Sequence, residues 1–151
     1  MSDDSESTVF GYLAADHDRL DELLIDTSAH VRAGDLPAAT RALEAFAAGL
    51  RRHIRLEDDV LFPVFERVTG MTSGPTTVMR EEHRMIEQHL DQMVAAVAQG
   101  DPAAFTEEKL AMMGVLGEHN AKEESVVYPM TDARLHDGER AALVAQLRAF
   151  R

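Results

Sequence analysis

From Val9 onward, apolar residues recur at alternating steps of three and four, the spacing of a helix that buries one stripe. Phe10, Leu13, His17, Leu20, Leu24, Thr27 and Val31 form the first such seam. Gly34 and Asp35 end that helix, and Pro37 suits the opening turn of the next. The second seam runs through Leu43, Phe46, Leu50, His53, Glu57, Val60 and Val64, and Pro63 is expected to kink or end it. Residues 69–75 (TGMTSGP) read as the clearest loop. The third seam is Met79, His83, Ile86, Leu90, Met93 and Val97. After Gly100, Asp101 and Pro102 comes the fourth, Met112, Leu116, His119, Glu123, Val126 and Met130. A shorter segment, about residues 138–150, carries Leu143, Val144, Leu147 and Phe150 on one face. No segment alternates with period two, so strands are not expected.

The pattern predicts an all-α fold. Four helices form an antiparallel up-down-up-down bundle with short connections, followed by a short C-terminal helix. Residues 8–151 are expected to form one domain, with the bundle core at about 8–131. Residues 1–7, polar and acidic, read as a disordered tail.

The halves superpose with a shift of 66 residues and no gap. His17 falls on His83, Gly34-Asp35 on Gly100-Asp101, His53 on His119, Glu57 on Glu123, and Pro63 on Pro129. Phe62 falls on Tyr128 and Asp58 on Glu124. The identities include every seam histidine, so the bundle reads as a duplicated helix pair, neither half able to bury its own face alone.

Composition narrows the chemistry. The 151 residues are 45% hydrophobic and 28% charged, enough to bury a core. With 27 acidic and 15 basic residues the net charge is −12, which argues against nucleic-acid or anionic-membrane partners. No apolar run reaches the roughly 18–20 residues of a membrane span, and the acidic start does not resemble a signal peptide; the expected setting is cytoplasmic. Cysteine is absent, which removes disulfides, thiolate metal sites and cysteine nucleophiles.

Histidines and two glutamates carry what remains. His17, His53, Glu57, His83, His119 and Glu123 all occupy seam positions. A carboxylate in a bundle core is costly unless paired or metal-bound. His53/Glu57 and His119/Glu123 are i, i+4 pairs, each on one helix face. In an antiparallel bundle all six fall near one level, roughly 10–15 Å from one end at about 1.5 Å rise per residue. A metal centre is the expectation. Imidazole and carboxylate without sulfur suit iron, manganese or zinc. Two ions, with the glutamates bridging them, would each have about four protein bonds, leaving octahedral iron room for an oxo or hydroxo bridge and an exogenous ligand. The order His-x-x-x-Glu differs from the Glu-x-x-His of ferritin-like bundles.

Asp21 and Glu87, one turn after His17 and His83, read as solvated carboxylates, the favoured reading, or as extra ligands or acceptors for histidine N–H groups. Asp16, Asp58, Glu82 and Glu124 adjoin the seam residues and are expected to be exposed or second-shell. Tyr12 and Tyr128 are within possible reach, with ordinary packing favoured for Tyr128. Helical phase turns His30 and His89 away from the seam, and His136 lies beyond the bundle.

The pattern H-HxxxE-H-HxxxE on a duplicated bundle resembles the hemerythrin-like, or HHE cation-binding, family. The segments DHDRLDELL, HIRLEDDVLFP, EEHRMIEQHL and HNAKEESVVYP are similar to its signature segments, including the aromatic-proline after each HxxxE. The resemblance covers about residues 8–131. It implies a non-haem di-iron site with His17, His53, His83 and His119 as terminal ligands and Glu57 and Glu123 as bridges. Two iron ions, oxo- or hydroxo-bridged, are the implied cofactor, with zinc or manganese as lesser alternatives. Oxygen-carrying hemerythrin has a second histidine where Glu87 stands, and an aspartate after a longer gap than Glu123. The pattern is closer to members that react with oxygen, peroxide or nitric oxide, or that sense iron. Iron–sulfur-repair members share the ligand pattern but add a cysteine-bearing segment. The expected function is handling of oxygen, peroxide or nitric oxide as a small exogenous ligand. Peroxide disproportionation, a catalase-like reaction, is the specific form; the alternative is an iron- or oxygen-sensing regulatory module without catalysis. Any protein partner is unknown from sequence.

Overall fold

The computed structural model describes residues 7–151. Apart from Ser7, the tail expected over 1–7 lies outside the described residues. Helix α1 is Val9–Arg32. Helix α2 starts as Leu36–Leu56, passes through a π-turn at Glu57–Leu61 and continues as Phe62–Thr69. Helix α3 is Pro75–Ala98. Helix α4 repeats the form of α2, with Pro102–Lys122, a π-turn at Glu123–Val127 and Tyr128–Arg134. Helix α5 is Asp137–Ala149. Among the described residues there is no strand, and the fold is the expected all-α bundle.

The duplication is visible in the connections. Gly34 and Gly100 both take positive φ, 73° and 65°, which only glycine adopts cheaply. Asp35 and Asp101 then cap the following helices, accepting from the amides of Ala38 and Ala104 at 3.1 and 3.0 Å. Within each half the paired helices pack closely, α1 on α2 and α3 on α4. The halves meet through α2 against α3 and through α1 against α4, the latter including the Tyr128–Arg134 segment.

The π-turns correct the sequence reading. In each, the amide five residues after the glutamate bonds back to it: Phe62 to the Glu57 carbonyl, Tyr128 to the Glu123 carbonyl. Pro63 and Pro129 follow at once. A proline lacks an N–H and crowds the turn before it, and the wider register relieves that crowding. The helix therefore does not end at Pro63. The extra residue advances the inward face by one position. Leu61, Phe62 and Phe65 are buried where Val60 and Val64 were expected, and Val127, Tyr128 and Thr131 where Val126 and Met130 were expected. At the start of α1, Val9 is buried and Phe10 is exposed, because Val9 lies one full turn before Leu13.

Two apolar clusters result. One, built on Leu24, Phe46, Leu90 and Met112, fills the bundle toward the Gly34 and Gly100 turns. The other, built on Leu13, Phe62, Phe65 and Tyr128, fills the opposite end and is closed by Leu143, Val144 and Leu147 of α5. Between them lies a polar layer. The far end is tied by Asp132, whose carboxylate accepts from the amides of Val9 and Phe10 at 2.8 and 3.0 Å, capping α1 from α4. Asp132→Ala should cost about 1–2 kcal/mol, the worth of a helix cap. For a chain of this size that lowers the melting temperature by several degrees, read by circular dichroism. An unchanged midpoint would show that the cap carries no stability.

Candidate metal centre

The polar layer consists of the six seam residues singled out by sequence. His17, His53, Glu57, His83, His119 and Glu123 are all buried, the two glutamates at 0% exposure. The i, i+4 spacing on α2 and α4, and the matching levels on α1 and α3, bring them around a cavity of about 10 Å³, room for a single water-sized group.

Every imidazole has the same orientation. The Nδ1 atom points outward to a carboxylate and Nε2 points inward. His53 Nδ1 donates to Asp16 at 2.7 Å and His83 Nδ1 to Asp58 at 2.8 Å. His119 Nδ1 donates to Glu82 at 3.1 Å and His17 Nδ1 to Glu124 at 3.3 Å. The four bonds close a circuit. α1 supplies Asp16 to α2, α2 supplies Asp58 to α3, α3 supplies Glu82 to α4, and α4 supplies Glu124 back to α1. A carboxylate acceptor fixes the proton on Nδ1, leaving Nε2 as the inward donor atom. All four Nδ1 groups are thus taken by these neighbours. Asp21 is exposed and Glu87 half-buried, and neither bonds an imidazole.

Inside the circuit the glutamates link the histidines. Glu57 spans two of them, Oε1 lying 3.1 Å from His83 Nε2 and Oε2 lying 3.5 Å from His53 Nε2. Glu123 Oε1 lies 3.3 Å from both His17 and His119 Nε2. The donor atoms fall into two sets that could each hold an ion: Glu57, His83, His119 and Glu123, and His17, His53 and Glu123. Glu123 belongs to both. Its Oε2 is buried without a hydrogen-bond partner, a costly arrangement for a carboxylate oxygen that a cation would relieve. Donor type, burial and the orphaned oxygen all fit a pair of hard or borderline divalent ions.

Tyr128 departs from the packing role favoured for it. The π-turn swings it inward, fully buried, with its hydroxyl donating to Glu57 Oε2 at 2.6 Å. The same oxygen lies 3.1 Å from Glu123 Oε1, 3.2 Å from His17 Nε2 and 3.4 Å from His53 Nε2. Its counterpart Phe62 stacks on His83, with ring centroids 5.5 Å apart. The layer is therefore not symmetric: a phenol faces the His17/His53 side and a bare ring faces the other. Spacing alone could not find this, because the phase shift comes from the π-turn; the aromatic-proline after each HxxxE is the sequence signal that marks it. Tyr12 does not enter the layer; Arg52 of α2 approaches its hydroxyl at 3.5 Å. His89 pairs with Glu108 at 2.8 Å, His30 with Asp26, and His136 caps α5, all away from the layer.

Burial and charge compete within the layer. Burial presses the His53 imidazole toward its neutral form, but Glu57 and Asp16 override it and raise its pKa to about 10. His83 is likewise raised to about 9, against burial, by its bonds to Asp58 and Glu57. Burial raises Asp16, yet His53 and Arg19 hold it at about 2. Burial also opposes ionisation of Glu57, but His53 and the surrounding hydrogen bonds keep it well below the usual carboxylate range. Burial and the two glutamates push Tyr128 well above an ordinary phenol, so it is a neutral donor.

These shifts give a signed pH dependence. Without metal, protonated His53 and His83 balance the buried carboxylates. Their folded pKa values exceed the unfolded value of about 6.5, so this stability is fully present below pH ~6.5 and fades as pH rises through 9–10. Metal competes with the same protons, so binding strengthens as pH rises. Thermal melts of chelated protein from pH 6 to 10, with divalent-metal competition titrations from pH 6 to 8, should show falling apo stability and rising affinity. Affinity independent of pH would mean that these histidines do not release protons to metal.

A family model for the hemerythrin HHE cation binding domain matches residues 8–131. No curated protein and no solved structure gave a match. The matched span begins just before α1 and ends within the last segment of α4, so it takes in the whole polar layer and both halves of the duplication. The chain belongs to the hemerythrin HHE cation-binding family, a metal-binding domain whose buried histidine–carboxylate layer has the donors to hold metal.

Proposed function

We propose that this chain is a non-haem di-iron protein that takes up oxygen, peroxide or nitric oxide, and that disproportionation of peroxide is its reaction. The observation that carries the reading is the shared layer: four inward Nε2 atoms meet two buried carboxylates, one common to both donor sets. His17 and His53 would hold one iron, His83 and His119 the other, with Glu57 and Glu123 between them. The absence of thiolate favours iron over softer ions. When bound, paired irons supply one-electron redox changes and Lewis acidity.

The protein's own groups have definite parts. The circuit of outer carboxylates fixes each imidazole with Nε2 already pointing inward, so loading exchanges protons without turning the rings. Tyr128 keeps its proton and hydrogen-bonds Glu57 Oε2 through it, so a hydroxyl stands on one side of the layer only. Phe62 walls the opposite side against water. Among the described residues, no lysine or arginine lines the cavity, so the chain's own polar groups there are imidazoles, carboxylates, the Asn120 amide and the Tyr128 hydroxyl. Two peroxides yield two waters and one oxygen, which needs no outside reductant and no net proton. That balance suits a layer lacking an obvious general base.

Iron-loaded protein mixed with hydrogen peroxide should evolve one oxygen per two peroxides consumed, read with an oxygen electrode. Glu57→Ala and Glu123→Ala should each reduce turnover at least tenfold, because each removes a carboxylate common to the layer. His89→Ala should retain it. A protein that keeps its iron but evolves no oxygen would contradict catalysis and favour the sensing alternative.

A further inference from the structure

The pseudo-symmetry is broken on one face. The duplication makes the α1/α4 face the counterpart of the α2/α3 face, yet one ion pair of α2/α3 has no counterpart on α1/α4. There Arg51 and Asp91 form an ion pair at 2.9 Å across the helices, above buried Leu43, Ala47 and Ile54. Shifted by 66 residues, the pair becomes Gly117 and Ile25, and the three apolar residues become Lys109, Met113 and Asn120. A glycine and an isoleucine cannot bridge the helices. A cleft of about 600 Å³ opens in their place, within the usual size range of small-molecule sites.

The cleft leads to the metal layer. His17, Asp21, Leu116 and Asn120 line both the cleft and the small central cavity. Its middle is apolar and uncovered, with Ile25 67% and Met113 48% exposed. Its charge is graded. Asp18, Asp21 and Glu124 lie at the layer end. Arg32 and Lys109 lie at the other, and neither forms an ion pair within the described residues. At the layer end Asn120 Oδ1 is buried without a donor. From Lys109 to Asn120 is about 16 Å along the helix.

We infer that this cleft binds a medium-chain carboxylate whose far end carries an O–H, as hydroxyl or hydroperoxide, and presents that end to the metal layer. The carboxylate pairs with Arg32 and Lys109, the apolar body covers Ile25, Met113 and Leu116, and the terminal O–H donates to Asn120 Oδ1 once the amide turns from its buried position toward the cleft. The acidic end repels the head group and so sets the direction. A ten-carbon chain with the reach of the lysine side chain spans the distance. This names a ligand class for the site proposed above, but binding in the cleft requires no metal, so the two readings fail separately.

The test uses 10-hydroxydecanoate, decanoate and decylammonium as probes, titrated calorimetrically into the full chain with and without iron. The expected order is 10-hydroxydecanoate over decanoate by about fivefold, one buried hydrogen bond, and decanoate over decylammonium by about tenfold, the head-group charge. The decisive variant moves the staple across: Ile25→Asp with Gly117→Arg. Space exists for it, since a Cβ on Gly117 meets nothing within 4 Å. The variant should fold with an unchanged circular-dichroism melt and lose at least tenfold in carboxylate affinity. Lys109→Glu should reverse the head-group preference. Equal binding of the anionic and cationic probes, or undiminished binding to a well-folded stapled variant, would overturn the inference. So would a dimer in sedimentation that the stapled variant abolishes, since the occupant would then be a second copy.

Discussion

Two carboxylates buried in the middle of a helical bundle constrain everything else in this molecule. Glu57 and Glu123 have no exposure at all, and an uncompensated buried charge costs several kcal/mol. The chain surrounds them with four imidazoles, then fixes each imidazole with an outer carboxylate from a neighbouring helix. The outer bonds join α1 to α2, α2 to α3, α3 to α4 and α4 to α1. The same bonds that orient the donors therefore hold the four helices at one level. The apolar clusters above and below supply the burial, and the polar layer sets the register.

The duplication explains why the solution is economical in sequence. One helix pair, used twice, yields the inner residues, the outer carboxylates, the turn glycines, the caps and the π-turns. Departures from the repeat then mark places where the halves do different work. Tyr128 against Phe62 makes the two sides of the layer chemically distinct. Gly117 and Ile25 against Arg51 and Asp91 open one face and leave the other stapled.

Much of this was legible in the residues. The periodicity and the repeat together marked the four helices and six seam residues, because both signals are local and a buried glutamate in a seam is hard to read otherwise. The outer circuit was less legible. Asp16, Asp58, Glu82 and Glu124 sit beside seam residues, but each bonds a histidine on another helix, and cross-helix partners have no sequence spacing. Asp21 and Glu87 share a face with His17 and His83, but one turn along the same helix is the wrong direction for Nδ1, and neither bonds an imidazole, in keeping with the solvated reading favoured for them. The π-turns were invisible to a count of threes and fours. They moved the seam from Val60 to Leu61 and from Val126 to Val127, and brought Tyr128 to the layer. Pro63 and Pro129 signalled a disturbance without saying which way it would resolve.

The central claim is that the layer holds two ions between its six residues. Elemental analysis of protein expressed in iron-replete medium, with Glu123→Ala measured beside it, tests that most directly. Glu123 belongs to both donor sets, so the account predicts two irons per chain in the native protein and at most one in the variant. A single zinc without iron, or a Glu123→Ala protein that keeps both irons, would contradict it.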